Sequence, residues 1–297
     1  MVRKARLPRP GWIKISLKMN ENFKELGGLI SDHSLHTVCQ EARCPNIYEC
    51  WNERTATFMI LGDVCTRHCG FCSVKKGRPG AVDSAEPMNV ARAAKRMGCD
   101  YAVVTSVDRD DLPDEGAGHF ADTIKAVRSL LPECKVEVLI PDFNGRRELL
   151  DVVLDAAPEV LAHNVETVSA LYRRVRPVAG YRQSLRILEE ATKYREQCNP
   201  AIRTKSGIMV GLGETTAQLH ETIGDIAGTG CDIITIGQYL TPKRNSLPVE
   251  KFYTPEEFDG LREKAYEAGF KHVESSPLVR SSYRAKGQWE KVACQAV

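Results

Sequence analysis

Residues 57–74 read TFMILGDVCTRHCGFCSV, an apolar run that ends at Gly62 and leads into a loop with three cysteines. A short apolar run that ends at a glycine is typical of a buried strand of a parallel sheet. The cysteines follow with the spacing Cys65-x3-Cys69-x2-Cys72. A loop directly after such a strand lies at the carboxyl edge of the sheet, where α/β proteins bind their ligands. The stretch therefore predicts both the fold class and the place of the chemistry.

Short apolar runs of the same kind recur along the chain. Strand candidates lie at 57–62, 101–107, 135–142, 159–166, 202–211 and 232–240, and helical patterns lie near 87–98, 117–131, 145–156, 181–197 and 214–229. Strands that alternate with helices indicate βα units and a parallel sheet. We predict an α/β fold, a partial (βα)6 TIM-like barrel, with a doubly wound open sheet as the alternative.

Two segments of different character flank this region. Residues 1–54 contain one amphipathic helical run, MNENFKELGGLI, and a second group of cysteines, whereas residues 254–297 contain one helix, the short apolar run KHVESS and the segment PLVRSSYRA. We predict three parts: an N-terminal extension at 1–54, the partial barrel at 55–253 and a C-terminal extension at 254–297.

Composition excludes several classes of protein. A formal net charge of +2 over 297 residues gives no strong field, so we expect neither nucleic acid nor membrane as a partner. The chain shows no run of about 20 apolar residues and no signal-peptide pattern, which favours the cytoplasm. Eleven cysteines in that reducing compartment indicate metal ligands and core thiols, not disulfides.

The cysteine spacing points to iron–sulfur chemistry. Three thiolates on one loop can bind three corners of a cubane cluster and leave the fourth iron without a protein ligand. Zinc is the alternative, but it would require a fourth Cys or His at regular spacing, and His68 lies directly between ligands. The upstream set, Cys39-x4-Cys44-x5-Cys50, places three more cysteines within twelve residues and predicts a second cluster, again without a local fourth ligand.

The loop resembles the signature of the radical S-adenosylmethionine (SAM) superfamily, in which an aromatic residue like Phe71 packs near the adenine. The whole chain resembles the lipoyl synthase family. The shared landmarks are the two cysteine sets, DDLPDEG, LIPDFNG, EVLAHNVET, GIMVGLGE, QYLTP and RSSY, which span residues 33–285 in the family's order. The combination is far more specific than any of its motifs alone.

The resemblance implies two 4Fe–4S clusters and SAM as cofactors, with two SAM used per product. The implied ligands are Cys65, Cys69 and Cys72 for the radical-generating cluster, and Cys39, Cys44, Cys50 and Ser282 of RSSY for the auxiliary cluster. The implied SAM contacts are Phe71, Asn164, Glu166, Met209 and Gly211. Ser282 and the three cysteines of the loop are also the implied catalytic residues.

The resemblance further implies a sulfurtransferase that inserts two sulfur atoms at C6 and C8 of a protein-bound octanoyl chain, with the auxiliary cluster as sulfur donor. Its implied partners are octanoylated lipoyl carrier domains (2-oxoacid dehydrogenase E2 or glycine cleavage H protein), a low-potential electron donor such as ferredoxin or flavodoxin, and an iron–sulfur cluster carrier. Two alternatives stay open: another sulfur-inserting radical SAM enzyme, and a two-cluster electron carrier. The three-cysteine sets argue against the carrier, which would bind each cluster with four cysteines.

Overall fold

The computed structural model describes residues 7–15, 17–32, 35–52 and 55–294. Its strands are β1 His36–Thr37, β2 Thr57–Ile60, β3 Val64–Cys65, β4 Lys75–Lys76, β5 Tyr101–Ser106, β6 Lys135–Leu139, β7 Val160–Ala162, β8 Arg203–Val210, β9 Ile233–Gln238 and β10 His272–Ser276. Its helices are α1 Glu21–Asp32, α2 Val38–Glu41, α3 Ile47–Asn52, α4 Glu86–Met97, α5 Ala117–Leu130, α6 Arg147–Asp155, α7 Tyr172–Val175, α8 Tyr181–Gln197, α9 Thr216–Gly228, α10 Pro255–Glu267 and α11 Ala285–Ala293.

An eight-stranded sheet in the order β1-β2-β5-β6-β7-β8-β9-β10 forms the centre of the fold. Every pair from β2 to β10 is parallel, and only β1 is antiparallel to its neighbour. All six predicted strands are present with helices between them, so the predicted α/β partial barrel is confirmed. The small pair β3–β4 lies outside this sheet and brackets the cysteine loop.

The sheet extends further than the sequence pattern predicts. β10 pairs in parallel with β9, so KHVESS, assigned above to the C-terminal extension, adds a seventh parallel strand beyond residue 253. At the other edge, β1 brings the N-terminal segment against β2 with Thr37 opposite Phe58. Two residues are too few to show a period of two, so no sequence pattern indicates β1. The predicted boundaries of the three parts stay a prediction.

Burial explains why the strands could be predicted from the sequence. All four residues of β2 and all six of β9 are buried, because helices cover the outer face of a parallel sheet and side chains fill its inner face. Helix starts are also encoded locally: α9 and α10 each begin with a capping box, Thr215 with Gln218 and Thr254 with Glu257. Within the described residues, no helix has the length and hydropathy needed to cross a membrane.

One ion pair lies wholly inside the sheet. Lys205 of β8 donates to Glu137 of β6 at 2.8 Å, and both side chains are 1% exposed. The Tyr101 hydroxyl donates to the same carboxylate at 2.8 Å. In such a buried pair, the attraction between the two charges offsets the cost of removing them from water only while both partners remain.

We expect Glu137→Gln to lower the free energy of unfolding by about 3 kcal/mol, because it leaves the Lys205 charge buried without a counter-charge. Urea unfolding of the metal-free chain measures the change. Glu133→Gln, at an exposed position four residues away, is the matched control and should stay within about 0.5 kcal/mol of the parent. Equal stabilities of the two variants would contradict the assigned role of the pair.

Candidate active site

The loops that follow the parallel strands surround one cavity of about 490 Å³, a volume typical of small-molecule sites. Residues of both cysteine sets and of the C-terminal segment line it. The predicted site residues among the lining are Cys39, Cys44, Cys65, Cys69, Phe71, Cys72, Asn164, Glu166, Met209 and Ser282. The other two predicted site residues, Cys50 and Gly211, are not among the residues that line it.

The cysteine loop is closed on itself by backbone contacts. β3 and β4 pair so that Cys65 lies opposite Lys76, and the Gly77 N–H donates to the Cys65 carbonyl at 3.0 Å. Within the loop, the Cys72 N–H donates to the Cys69 carbonyl at 3.3 Å. The three thiols are therefore half-buried on one wall of the cavity, whereas His68 is exposed.

Arg67 fastens this loop to the ends of two strands. The side chain is 2% exposed and pairs with Asp110 and Asp142 at 2.7 Å and with Asp108 at 3.4 Å. Asp108 and Asp110 follow β5, and the fully buried Asp142 follows β6. No sequence pattern singles out Arg67; the available signal is an arginine between two cysteines of the loop and aspartates after two successive strands.

We expect Arg67→Gln to lower the free energy of unfolding by about 3 kcal/mol, because it leaves the buried Asp142 unpaired and removes the counter-charge of Asp108 and Asp110. The same variant should also bind less iron per chain after anaerobic reconstitution, because the cysteine loop is no longer attached to the strand ends. Chemical unfolding and iron analysis measure both effects. The exposed Arg78→Gln, from the same loop region, should match the parent, and an Arg67→Gln variant that also matched it would refute the role.

Burial disfavours the charged form of the three thiols of the loop. Burial raises the pKa of Cys65 to about 12 and that of Cys69 to about 11, and it also raises the pKa of Cys72. Such thiols become thiolates when iron binds, and each bond releases a proton. Among the described residues, no three His, Cys, Asp or Glu side chains surround one point closely enough for a single metal ion. A cubane cluster requires a different arrangement, with each thiolate on a separate iron.

The second cysteine set lies on two short helices of the N-terminal segment. Cys39 belongs to α2 and Cys50 belongs to α3. Cys44 lies in the turn between them, and its N–H donates to the Cys39 carbonyl at 3.0 Å. Thr37 caps α2 by accepting from the Gln40 N–H. Burial raises the pKa of the Cys39 thiol to about 11, as in the loop set.

The C-terminal segment is held against this cysteine set. Asn46 donates to the Leu278 carbonyl at 2.7 Å, and the Tyr283 hydroxyl donates to Glu49 at 2.9 Å. Burial and the hydrogen bond to Glu49 raise the pKa of Tyr283 to about 12. Ser282 thereby reaches the same cavity as Cys39 and Cys44.

The lining of the cavity also combines apolar side chains with unsatisfied polar atoms. Phe71 and Met209 pack against a cluster that includes Tyr239. Close by, Ser106 Oγ, His163 Nε2 and Asn164 Oδ1 are buried and have no hydrogen-bond partner among the described residues. Apolar side chains beside unsatisfied polar atoms fit a ligand such as SAM, with its adenine, ribose and amino acid groups.

Asn164 and Glu166 are positioned by unusual contacts. The Asn164 amide donates to Glu166 at 3.1 Å and to Ser281 Oγ at 2.7 Å, so the tail touches this part of the cavity as well. Glu166 has a φ of +72°, which is strained for a residue with a side chain and is typical of functional sites. Burial raises the pKa of its carboxyl.

Arg176 is a cavity residue that the sequence pattern does not reveal. Its guanidinium donates to the Asn164 carbonyl at 2.8 Å and to the Tyr172 hydroxyl at 3.1 Å, and it lies over the Tyr172 ring at 5.6 Å. The neighbouring Val175 carbonyl accepts from the Gly70 N–H at 2.8 Å, which attaches the cysteine loop here. The buried cation is therefore fixed between the loop and the strand ends.

The backbone conformation at position 211 requires a glycine. Its φ is +102°, and a Cβ there would lie 2.5 Å from the Lys251 carbonyl oxygen. Its N–H donates to Glu214 at 2.5 Å. The expected contact of Gly211 with SAM stays a prediction.

Comparison with known proteins agrees with this geometry. Residues 59–226 match the radical SAM superfamily. The chain is 56% identical over 280 residues to the lipoyl synthase of Symbiobacterium thermophilum, covering 94% of this chain and 86% of that protein. It is 53% identical to the lipoyl synthase of Rubrobacter xylanophilus (97% and 88% covered) and 49% identical to that of Bacteroides fragilis strain YCH46 (95% and 96% covered).

The chain belongs to the lipoyl synthase family. As radical SAM proteins, lipoyl synthases use a 4Fe–4S cluster and SAM, which fit the thiols of the loop and the polar cavity beside them. Among solved structures, SuiB of Streptococcus suis bound to SAM has a TM-score of 0.56 at 13% identity, covering 86% of this chain and 61% of that one. Methylornithine synthase has a TM-score of 0.50 at 17% identity, covering 88% and 84%. These two structures support the fold alone.

Proposed function

We propose that this lipoyl synthase inserts two sulfur atoms, at C6 and C8, into an octanoyl chain attached to a carrier protein, using two 4Fe–4S clusters and two SAM per product. The observation that carries the proposal is the shared cavity. Cys65, Cys69 and Cys72 lie on one part of its wall, and Cys39, Cys44 and Ser282 lie on another. A carbon radical formed in this space would meet a sulfur source without leaving it.

When bound, SAM and the cluster of the loop supply a radical that abstracts hydrogen from unactivated carbon, and the auxiliary cluster supplies the sulfur. The chain's own residues hold and separate these groups. The loop cysteines would hold the first cluster, and Cys39, Cys44, Cys50 and Ser282 would hold the second. Phe71, Asn164, Glu166, Met209 and Gly211 would contact SAM, while Arg176 would place a fixed positive charge nearby.

The lining also suits an aliphatic substrate. Apolar side chains of the cavity come from both flanking elements and the strand ends: Val38, Met59, Val74, Leu139, Ile140, Ile208 and Val279. An octanoyl chain can be buried among them at a gain of about 0.8 kcal/mol per methylene. Buried walls also exclude water and stray hydrogen donors from a reactive radical.

The reaction defines the partners that we propose. They are octanoylated lipoyl carrier domains of 2-oxoacid dehydrogenase E2 or glycine cleavage H protein, a low-potential donor such as ferredoxin or flavodoxin, and an iron–sulfur cluster carrier that rebuilds the auxiliary cluster. Free thiols and low-potential electrons favour the cytoplasm as the compartment.

The test is an anaerobic reaction of the reconstituted chain with SAM, a strong reductant and an octanoylated carrier peptide. Mass spectrometry should show two sulfur atoms added to the peptide, and chromatography should show about two 5′-deoxyadenosine per product. Formation of 5′-deoxyadenosine with an unmodified peptide would indicate another radical SAM enzyme. Absence of 5′-deoxyadenosine would indicate an electron carrier, and either outcome would end the proposal.

A further inference from the structure

Thr57, the first residue of β2, touches two of the groups proposed to hold the auxiliary cluster. Its hydroxyl donates to Ser282 Oγ at 2.7 Å across 225 residues of sequence. Burial raises the pKa of the Cys39 thiol, and the nearby Thr57 backbone partly offsets that rise. The side chain lines the cavity and the residue is only 6% exposed. One residue of the barrel therefore joins a ligand from the N-terminal segment to a ligand from the tail.

The backbone holds Thr57 and Ser282 in place independently of this hydrogen bond. β1 pairs with β2, which sets Thr57 beside α2 and Cys39. Ser282 lies in a turn in which the Tyr283 N–H donates to the Arg280 carbonyl at 2.9 Å. The tail is further attached through Asn46, which donates to the Leu278 carbonyl. What the Thr57 hydroxyl adds is the direction of the Ser282 side chain.

We propose that Thr57 is a positioning residue for Ser282, which orients the serine oxygen toward the auxiliary-cluster iron beside Cys39. The proposal rests on the proposed function, because the ligand role of Ser282 belongs to it.

Orientation matters more for this ligand than for the three cysteines. A serine side chain has three staggered rotamers, of which only some turn its oxygen into the cavity. Oxygen is a hard donor and binds iron of a sulfur-rich cluster less firmly than a thiolate. One neutral hydrogen bond is enough to bias such a choice roughly fivefold. Losing that bond should weaken the hold on one iron and leave the other three nearly unaffected.

The experiment uses the full chain reconstituted with ⁵⁷Fe, with SAM present to cover the open iron of the loop cluster. Mössbauer spectra give the fraction of iron with an oxygen ligand, and bathophenanthroline disulfonate gives the rate of iron loss. Thr57→Val and Thr57→Ala remove the hydroxyl, Thr57→Ser restores it, and Ser282→Ala removes the ligand itself. Thermal unfolding of each metal-free chain reports whether the variant folds, and Thr57→Ala replaces Thr57→Val if the latter does not.

We expect Thr57→Val to lose one iron roughly fivefold faster than the parent and to show less oxygen-ligated iron. Thr57→Ser should recover the parent values, and Thr57→Val should add nothing in the Ser282→Ala background. Suppose that Ser282→Ala alters the Mössbauer spectrum but Thr57→Val leaves both the spectrum and the rate of iron loss at the parent values. That result overturns the role of Thr57 alone, and so does a Thr57→Ser variant that does not recover the parent values. An unaltered spectrum for Ser282→Ala overturns the ligand role of Ser282 and the Thr57 proposal with it.

Discussion

Replacing Cys69 by alanine should lower 5′-deoxyadenosine formation from SAM by roughly a thousandfold or more, about 4 kcal/mol in activation free energy. The reason is that three thiolates on one loop leave no spare ligand for the cluster that cleaves SAM. Sulfur insertion into the carrier peptide should disappear with it, since no radical forms. Quantifying 5′-deoxyadenosine by chromatography after anaerobic reconstitution measures the loss.

Cys198→Ala is the matched control, because Cys198 is an exposed free thiol that is not among the residues lining the cavity. It should retain parent activity within about twofold, as surface changes usually do. A Cys69→Ala chain that still cleaved SAM at the parent rate would contradict the assignment of the loop.

The second large effect should separate the two cysteine sets. Cys39→Ala should abolish sulfur insertion into the octanoyl peptide, a loss of roughly a thousandfold or more, while 5′-deoxyadenosine formation stays within about threefold of the parent. The reason is that Cys39 lies on α2, whereas the cysteines proposed to bind the SAM-cleaving cluster lie on the loop that Arg67 attaches to β5 and β6. Mass spectrometry of the peptide and chromatography of the same reaction measure both quantities.

Cys294→Ala, at the exposed end of α11, is the control for this second change. It should leave both activities at the parent level. If Cys39→Ala removed both activities with the metal-free fold intact, the two sets would not act as separate centres. Retention of sulfur insertion would show instead that the N-terminal set does not supply the sulfur.

Much of the fold could be predicted because its strands are buried on both faces. β2 and β9 read as mostly apolar runs for that reason, and the glycine at 62 marks where the first strand gives way to the loop. β10 was assigned to an extension because HVESS does not by itself show which strand it pairs with, and its partner β9 becomes evident only from the pairing register. Local patterns do not carry such long-range information.

The candidate site also contains some residues that the local sequence predicts and others that depend on long-range contacts. Spacing alone places Cys65, Cys69 and Cys72 on one loop, since the whole set spans eight residues. Ser282 could be predicted only from the RSSY resemblance, because the bare sequence does not show that the tail returns to β2. Arg67 and Arg176 were not predicted at all. An arginine's burial depends on which aspartates or carbonyls the fold brings to it, and those partners lie on other strands.

The most direct test of the account is the origin of the sulfur in the product. The chain is reconstituted with ³⁴S-sulfide, freed of unbound sulfide and allowed one turnover with an octanoylated carrier peptide, SAM and reductant. If the cavity holds radical source and sulfur donor together, mass spectrometry will show two ³⁴S atoms in each product peptide. Product that carries sulfur of natural isotopic abundance would contradict the account.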